Sequence, residues 1–102
     1  MQNLILSIMQ SDLVWENIAA NLAAFDRKID AIQEETHLIV LPEMFTTGFS
    51  MNPEKLAQDM NDSAVCWLRQ KSRQKQADIV GSVIIKDNGL FFNRLLWAKP
   101  DG

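Results

Sequence analysis

The chain has 102 residues, which is enough for one domain with a modest core and too few for two. Apolar residues make up 47% and charged residues 23%, a balance typical of a globular domain, and the net charge of -3 gives no excess of cations for binding nucleic acid. A single cysteine cannot form an internal disulfide, which predicts a cytoplasmic location. No apolar run is long enough for a membrane span, and the first twelve residues lack the basic segment of a secretory signal.

The first half of the chain predicts a strand, a helix and a second strand. Residues 4–9 form a short apolar run typical of a strand covered on both faces. Apolar side chains then recur at helical spacing from the candidate N-cap Asn17 to about Glu34. A second apolar run, 37–41, predicts a strand that stops at Pro42, because proline cannot donate to a sheet ladder; the residues after Phe45 then read as a loop. The charges of the helix are expected to form a solvated face, namely Asp26, Arg27, Lys28, Asp30 and Glu34.

The second half predicts a helix followed by a hairpin. Residues 61–63 offer caps for a helix that runs to about Gln76, and its cations lie where the helix dipole favours them. Asn88 and Gly89 lie between apolar runs at 78–85 and 90–98, which predicts a type I′ turn between antiparallel strands. The order β-α-β-α-β-β indicates an α/β domain with a mixed sheet. The helix cations are Arg69, Lys71, Arg73 and Lys75, and the aromatic residues expected to pack in the core or sheet are Trp67, Phe91, Phe92 and Trp97.

The last four residues, 99–102, have the Lys-Pro-Asp-Gly pattern of a turn. A returning strand is expected after such a turn, and without one the fourth strand would present a long apolar edge. We therefore expect residues 1–102 to be the N-terminal part of a single domain, truncated after the fourth strand.

Glu43 is the strongest candidate for a catalytic residue. It falls two residues past the end of the second predicted strand, where open α/β sheets bind their ligands. Its apolar neighbours Leu41, Met44 and Phe45 are expected to desolvate the carboxylate in part, which suits a general base. The alternative is a structural carboxylate that caps a loop or pairs with a nearby arginine.

Residues 41–52, LPEMFTTGFSMN, resemble the signature around the catalytic glutamate of the nitrilase superfamily of carbon–nitrogen hydrolases. The methionine after the glutamate and the Thr-Thr-Gly-Phe that follows are similar to the omega-amidase branch, which acts on ω-amides of 2-oxo acids. The resemblance continues in order along the whole chain. It includes Trp15 and Asn17 after the first strand, the strand beginning at 79–81, and the Phe-Asn-Arg segment 92–94.

The resemblance implies an αββα sandwich with a Glu-Lys-Cys triad, in which Glu43 matches the general base that acts on the cysteine thiol. The thiolate attacks the amide carbonyl, ammonia leaves, and water hydrolyses the thioester, while the lysine stabilises the oxyanion. The family's lysine and cysteine lie past the turn at 99–102, so we expect this piece alone to be inactive. Candidates for the substrate pocket, by adjacency to the glutamate, are Phe45, Thr46, Thr47 and Phe49.

The resemblance further implies a small-molecule amide substrate, a homo-oligomer and no metal or organic cofactor. Cys66 is predicted to be a buried helix residue rather than the nucleophile, and Lys99 an exposed turn residue. His37 and one cysteine cannot form a metal site. Two alternatives remain: a non-catalytic α/β binding or scaffold module, and an enzyme of another α/β class that uses Glu43 as its base.

Overall fold

A computed structural model describes residues 4–101, and the expectations for residues 1–3 and for the last residue of the turn, Gly102, lie outside the described residues. Four strands, β1 (Leu6–Ile8), β2 (Leu38–Val40), β3 (Asp78–Asp87) and β4 (Leu90–Ala98), form one sheet in that order. The first three strands are parallel, and β3 and β4 are antiparallel, as the sequence predicts. The helices are α1 (Ile18–Asp30), between β1 and β2, and α2 (Pro53–Leu56) and α3 (Ser63–Lys75), between β2 and β3.

Helices α1 and α3 cover one face of the sheet. Phe25 and Ile29 of α1 are fully buried against the strand residues Ile39 and Ile79, and Leu68 of α3 belongs to the same core. On the opposite face much of the sheet is open: the side chains there include Leu6, Ile8, Leu95 and Trp97, which are all exposed. The core therefore lies between the sheet and one helical layer.

The ends of the first half differ from the prediction. Helix α1 begins at the predicted cap, because the Asn17 side chain accepts a hydrogen bond from the Ala20 N–H at 3.0 Å. It ends at Asp30 rather than near residue 34, and the carbonyl of Ile32 accepts a hydrogen bond from Lys75. Strand β1 was expected to be covered on both faces. Within residues 4–101 it is instead a three-residue edge strand, and Ile8 is 70% exposed because it lies on the face of the sheet that α1 and α3 do not cover.

The hairpin is confirmed, and some packing predictions for the second half are wrong. Asn88 and Gly89 have φ values of 52° and 77°, as a type I′ turn requires. Cys66 is exposed rather than buried, because the helix turns its Val65 side toward the core. Of the four aromatic residues expected to pack in the core or sheet, only Trp67 packs against the core cluster. The other three, Phe91, Phe92 and Trp97, are exposed on β4.

An ion-pair cluster joins the two helices, which corrects the prediction that the charges of α1 form only a solvated face. Lys71 of α3 is 2% exposed, and its Nζ lies 2.9 Å from Asp26 and 2.5 Å from Asp30 of α1. The Trp67 Nε1–H also donates to Asp26, at 2.9 Å. Lys71 is thus a buried cross-link between the helices rather than one of a row of cations at a helix end. Within residues 4–101, no helix is both long and apolar enough to cross a membrane.

Candidate active site

The segment after β2 pairs with the part of β3 that β2 leaves free. Strand β3 has ten residues and β2 only three, so an edge of β3 would otherwise present unpaired backbone groups. The Phe45 N–H donates to the Ser82 carbonyl at 3.2 Å. Farther along, the Gln58 N–H donates to the Ile84 carbonyl at 3.0 Å, and the Lys86 N–H donates back to Gln58 at 2.9 Å. The segment that contains Glu43 is therefore fixed to the sheet along the free edge of β3.

Glu43 lies between two backbone contacts with this strand. Before it, the Leu41 N–H donates to the Val80 carbonyl at 2.8 Å. After it, the Met44 N–H donates to the Ser82 Oγ at 2.8 Å, in a buried environment. Since both flanks of Glu43 are bound to the same strand, the strand determines where its backbone lies.

The backbone turns sharply at Met44, whose φ is 47° in the left-handed region. A residue other than glycine adopts this backbone conformation at a cost of roughly 1–2 kcal/mol, so surrounding contacts must maintain it. The Met44 carbonyl accepts from the N–H groups of Thr47 at 3.1 Å and Gly48 at 2.8 Å. The Met44 side chain is buried with Leu56 and Ile84. These contacts hold the turn that immediately follows the glutamate.

A close approach at Gly81 allows Phe45 to lie directly on the strand. A Cβ added at Gly81 would lie 2.8 Å from Phe45 Cδ1 and 3.1 Å from Leu41 Cβ, the first of which is closer than real contacts allow. The Phe45 ring is fully buried, edge-on to Phe25 with centroids 5.8 Å apart, and 6.0 Å from the Trp67 ring. The absence of a side chain at Gly81 is therefore a condition for this turn.

Asn21 of α1 joins the turn to the loop that precedes the helix. Its side-chain amide is buried, donates to the Thr46 carbonyl at 2.6 Å and the Val14 carbonyl at 2.8 Å, and accepts from the Val14 N–H at 2.8 Å. The Glu16 N–H also donates to the Thr47 carbonyl at 2.9 Å. Sequence reasoning missed the role of Asn21; the available signal was a polar residue within the apolar stripe of the helix.

The Glu43 side chain itself is exposed, so the expected partial desolvation by its neighbours is not observed. Those neighbours point away from it, since Met44 and Phe45 are buried in the interior. None of the ion pairs among residues 4–101 involves Glu43, which disfavours a structural carboxylate paired with an arginine. Among the described residues the Glu43 carboxylate is thus exposed and has no charged partner.

The residues on either side of Glu43 in the sequence line two different surface depressions. One, of about 370 Å³, lies at the carboxyl ends of β1 and β2 and includes Pro42 in its lining. The other, of about 380 Å³, includes Met44 and has the more apolar lining. The remaining residues of the first depression are Ile8, Met9, Gln10, Ser11, Val40 and Leu41, and those of the second are Ser50, Met51, Pro53, Ile84, Phe91, Phe92 and Asn93.

The four predicted pocket residues do not share one surface. Phe45, Thr46 and Thr47 are buried, and the Thr47 hydroxyl donates to the Gly48 carbonyl at 2.8 Å. Phe49 points outward and is 68% exposed. Their assignment to the substrate pocket stays a prediction, and the buried three have a clear part in holding the turn. In the described part of the chain, no group of three His, Cys, Asp or Glu side chains is arranged to hold a metal ion.

Comparison with known proteins identifies the family of the chain. A family model for carbon-nitrogen hydrolases matches residues 5–102. The chain belongs to the carbon-nitrogen hydrolase family. It is 42% identical over 102 residues to an omega-amidase YafV of Yersinia enterocolitica, and 40% identical over 104 residues to the protein of that name from Escherichia coli K12. A 2-oxoglutaramate amidase of Bacillus subtilis is 28% identical over 99 residues.

A solved structure supports the same family. XC1258 from Xanthomonas campestris, described as a CN-hydrolase superfamily protein with an arsenic adduct in its active site, superimposes with a TM-score of 0.94 and 36% sequence identity. The match covers 99% of this chain and 38% of XC1258. The matches to both YafV proteins cover all of this chain and 39% of each relative, and the Bacillus match covers 95% of this chain and 38% of that relative. The chain thus spans about two fifths of the length of these carbon-nitrogen hydrolases.

Proposed function

We propose that the chain belongs to an amide hydrolase that releases ammonia from the ω-amide of a small 2-oxo acid. The observation that carries this proposal is the placement of Glu43. Its carboxylate is exposed at the carboxyl end of a parallel strand, on a turn that two contacts with β3 hold in place. The chain's similarity to omega-amidases supports the substrate class.

In the proposed reaction Glu43 is the general base, and a cysteine thiol is the group it deprotonates. The thiolate forms a bond to the amide carbonyl carbon, the carbon–nitrogen bond breaks, and the nitrogen leaves as ammonia with the proton that Glu43 accepted. Water then attacks the thioester carbonyl while Glu43 accepts a proton from it. The carbon–sulfur bond breaks, the carboxylic acid product leaves, and Glu43 returns the proton to the thiolate, which regenerates the free thiol and the carboxylate. A lysine stabilises the oxyanion in both steps.

Within residues 4–101 the structure offers no substitute for the nucleophile of this triad. Cys66 lies on α3, and its thiol donates a hydrogen bond to the Asn61 carbonyl, with 3.4 Å between Sγ and the oxygen, in the loop before that helix. Lys99 is exposed next to the final turn, as expected. We therefore propose that the cysteine and the lysine are supplied from outside these 102 residues, and that the 102-residue chain alone is inactive.

The cellular setting is part of the proposal. We propose a cytoplasmic location because the chain has a single cysteine. We propose a homo-oligomeric assembly, and a reaction without a metal or organic cofactor, because the family resemblance implies them. Of the four predicted pocket residues, exposed Phe49 is the best placed to contact a substrate, since Phe45, Thr46 and Thr47 are buried.

Ammonia release by the natural gene product tests the proposal. The purified protein is weighed by intact-mass spectrometry and assayed with the ω-amide of a short 2-oxo acid, with the parent amino-acid amide and the matching nitrile as comparisons. We expect release from the ω-amide in preference to the other two, and a transient acyl adduct on one cysteine. The 102-residue chain, assayed beside it, should release none. Lack of ammonia from every substrate would contradict the proposed function.

A further inference from the structure

Ser82 makes two contacts with the turn that follows Glu43, and they bind successive residues. Its Oγ accepts the Met44 N–H at 2.8 Å, and its carbonyl accepts the Phe45 N–H at 3.2 Å. Ser82 is 5% exposed, so the Met44 N–H has this hydroxyl as its partner away from water. One residue of β3 thus holds two consecutive peptide groups next to the glutamate.

We propose that Ser82 is a positioning residue for Glu43, which acts through the Met44 N–H; this inference rests on the proposed function. The Cα of Glu43, which carries the side chain, is two covalent bonds from the Met44 nitrogen, across a peptide bond that is planar. Met44 keeps its left-handed φ of 47° only while surrounding contacts hold it. Without the Ser82 hydroxyl, a buried N–H is left unpaired, and the turn gains by rotating toward an ordinary backbone conformation. That rotation moves Glu43.

The carbonyl contact of Ser82 cannot replace the hydroxyl contact. Every residue at position 82 carries the carbonyl that receives the Phe45 N–H, whereas only the side chain reaches the Met44 N–H. The function of the hydroxyl is therefore separable from that of the strand. Ser82→Ala removes the acceptor and leaves the sheet ladder intact, and Ser82→Thr restores it with a residue suited to a strand.

Ser72 supplies a matched control. It is also a buried serine with a side-chain hydrogen bond, since its Oγ donates to the Ala77 carbonyl at 2.5 Å. That contact joins α3 to Ala77, the residue before β3, and a second one, at 3.3 Å, reaches the Ala98 carbonyl at the end of β4. Neither contact involves the Glu43 turn. Ser72→Ala therefore removes a comparable bond at a distant place in the fold.

The test compares steady-state ammonia release by the natural gene product and these three variants, at a temperature where circular dichroism shows all of them fully folded. We expect Ser82→Ala to lower kcat on the order of ten- to a hundredfold, because small displacements of a reacting group are costly, with KM changed by less than about twofold. Ser82→Thr should recover most of kcat, and Ser72→Ala should keep it. By hydrogen exchange, the Met44 amide should lose protection in Ser82→Ala only.

Three results would overturn the inference while leaving the proposed function intact. They are a normal kcat in Ser82→Ala, an equal loss in Ser82→Ala and Ser82→Thr, or an equal loss in Ser82→Ala and Ser72→Ala. In each case the wild-type protein still releases ammonia. If the wild-type protein releases none from any substrate, the proposed function is wrong and the inference is wrong with it.

Discussion

The Glu43 turn is held by polar contacts between uncharged groups, and the interface between α1 and α3 is held by contacts between charged groups. The turn is bound to β3 by uncharged groups, the Met44 N–H and the Ser82 hydroxyl, 38 residues apart in sequence. The helices are joined by a buried ammonium, Lys71, and by two carboxylates that include Asp30, 41 residues away. Both contacts connect distant parts of the chain, but only the second carries charge.

The charged groups at the helix interface shift one another's pKa values. Hydrogen bonds from Lys71 and from Trp67 lower the pKa of Asp26 below its ordinary value of 3.8. Burial works to lower the pKa of Lys71, but its hydrogen bonds to Asp30 and Asp26 outweigh burial and leave that pKa raised above 10.5. Stability at this interface therefore depends on pH, whereas the contact between Met44 and Ser82 has no group that titrates. The hydrogen bond between Met44 and Ser82 therefore has no pH dependence of its own.

Gly81→Ala is expected to have the largest structural effect on the turn. The new Cβ would lie 2.8 Å from the Phe45 ring, so the ring and the turn must shift. We expect a loss of about 1–3 kcal/mol in the free energy of unfolding, as for other overpacked cores, measured by urea denaturation. Ammonia release per folded molecule should fall as well, because Phe45 lies two residues after Glu43.

Gly89→Ala is the control for that substitution. A Cβ at Gly89 meets nothing within 4 Å, and the cost there comes from its φ of +77° alone. We expect a loss of about 1 kcal/mol in stability with normal ammonia release. If both alanine variants lost activity equally, contact of the turn with β3 would not be what positions the glutamate.

Lys71→Met tests the charged half of the comparison. The methionine retains an apolar stem in the core but removes the ammonium between Asp26 and Asp30. The two carboxylates have side-chain exposures of 45% and 59%, so water can solvate them. We expect a loss of about 1–2 kcal/mol, below the range for a fully buried pair, with activity per folded molecule unchanged. A large loss of activity in the folded variant would contradict the separation of the two regions.

The pH dependence of stability should show the smallest effect and distinguish the same two regions. Asp26 has a lowered pKa when folded, so its contribution is present above pH 3.8 and is lost as the pH falls through the folded value. Lys71 has a raised pKa, so its contribution is present below pH 10.5 and is lost as the pH rises through the folded value. Urea denaturation of the wild-type protein should show both losses. In Lys71→Met both losses of unfolding free energy should be smaller. If the loss at low pH were unchanged in this variant, Lys71 would not be what sets the pKa of Asp26.

The sequence predicts the elements better than the contacts between them. Helical spacing, the Asn17 cap and the Asn88-Gly89 turn are local signals, and each is confirmed. The burial of Lys71 and the roles of Ser82 depend on which residues 38 to 41 positions away face them, and no local pattern contains that information. The position of Glu43 at a strand end is predictable because the apolar run before it is a local signal. Its exposure is not predictable from that run, since exposure depends on where its neighbours point.

The strand β1 shows the same limit. Its apolar run predicts a strand correctly, but whether a strand is covered on two faces depends on which layers pack against the sheet. Within the described residues it is an edge strand with an exposed Ile8. Periodicity alone could not distinguish the two arrangements.

The most direct test of the account is the rate of ammonia release by Glu43→Gln in the natural gene product, with the wild-type protein measured beside it. Glutamine keeps the shape of the exposed side chain and removes its capacity to accept a proton. We predict a fall in kcat on the order of a thousandfold, as for loss of a general base, with unfolding free energy changed by less than about 0.5 kcal/mol. A folded Glu43→Gln variant that releases ammonia at the wild-type rate would contradict the assignment of Glu43 as the catalytic base.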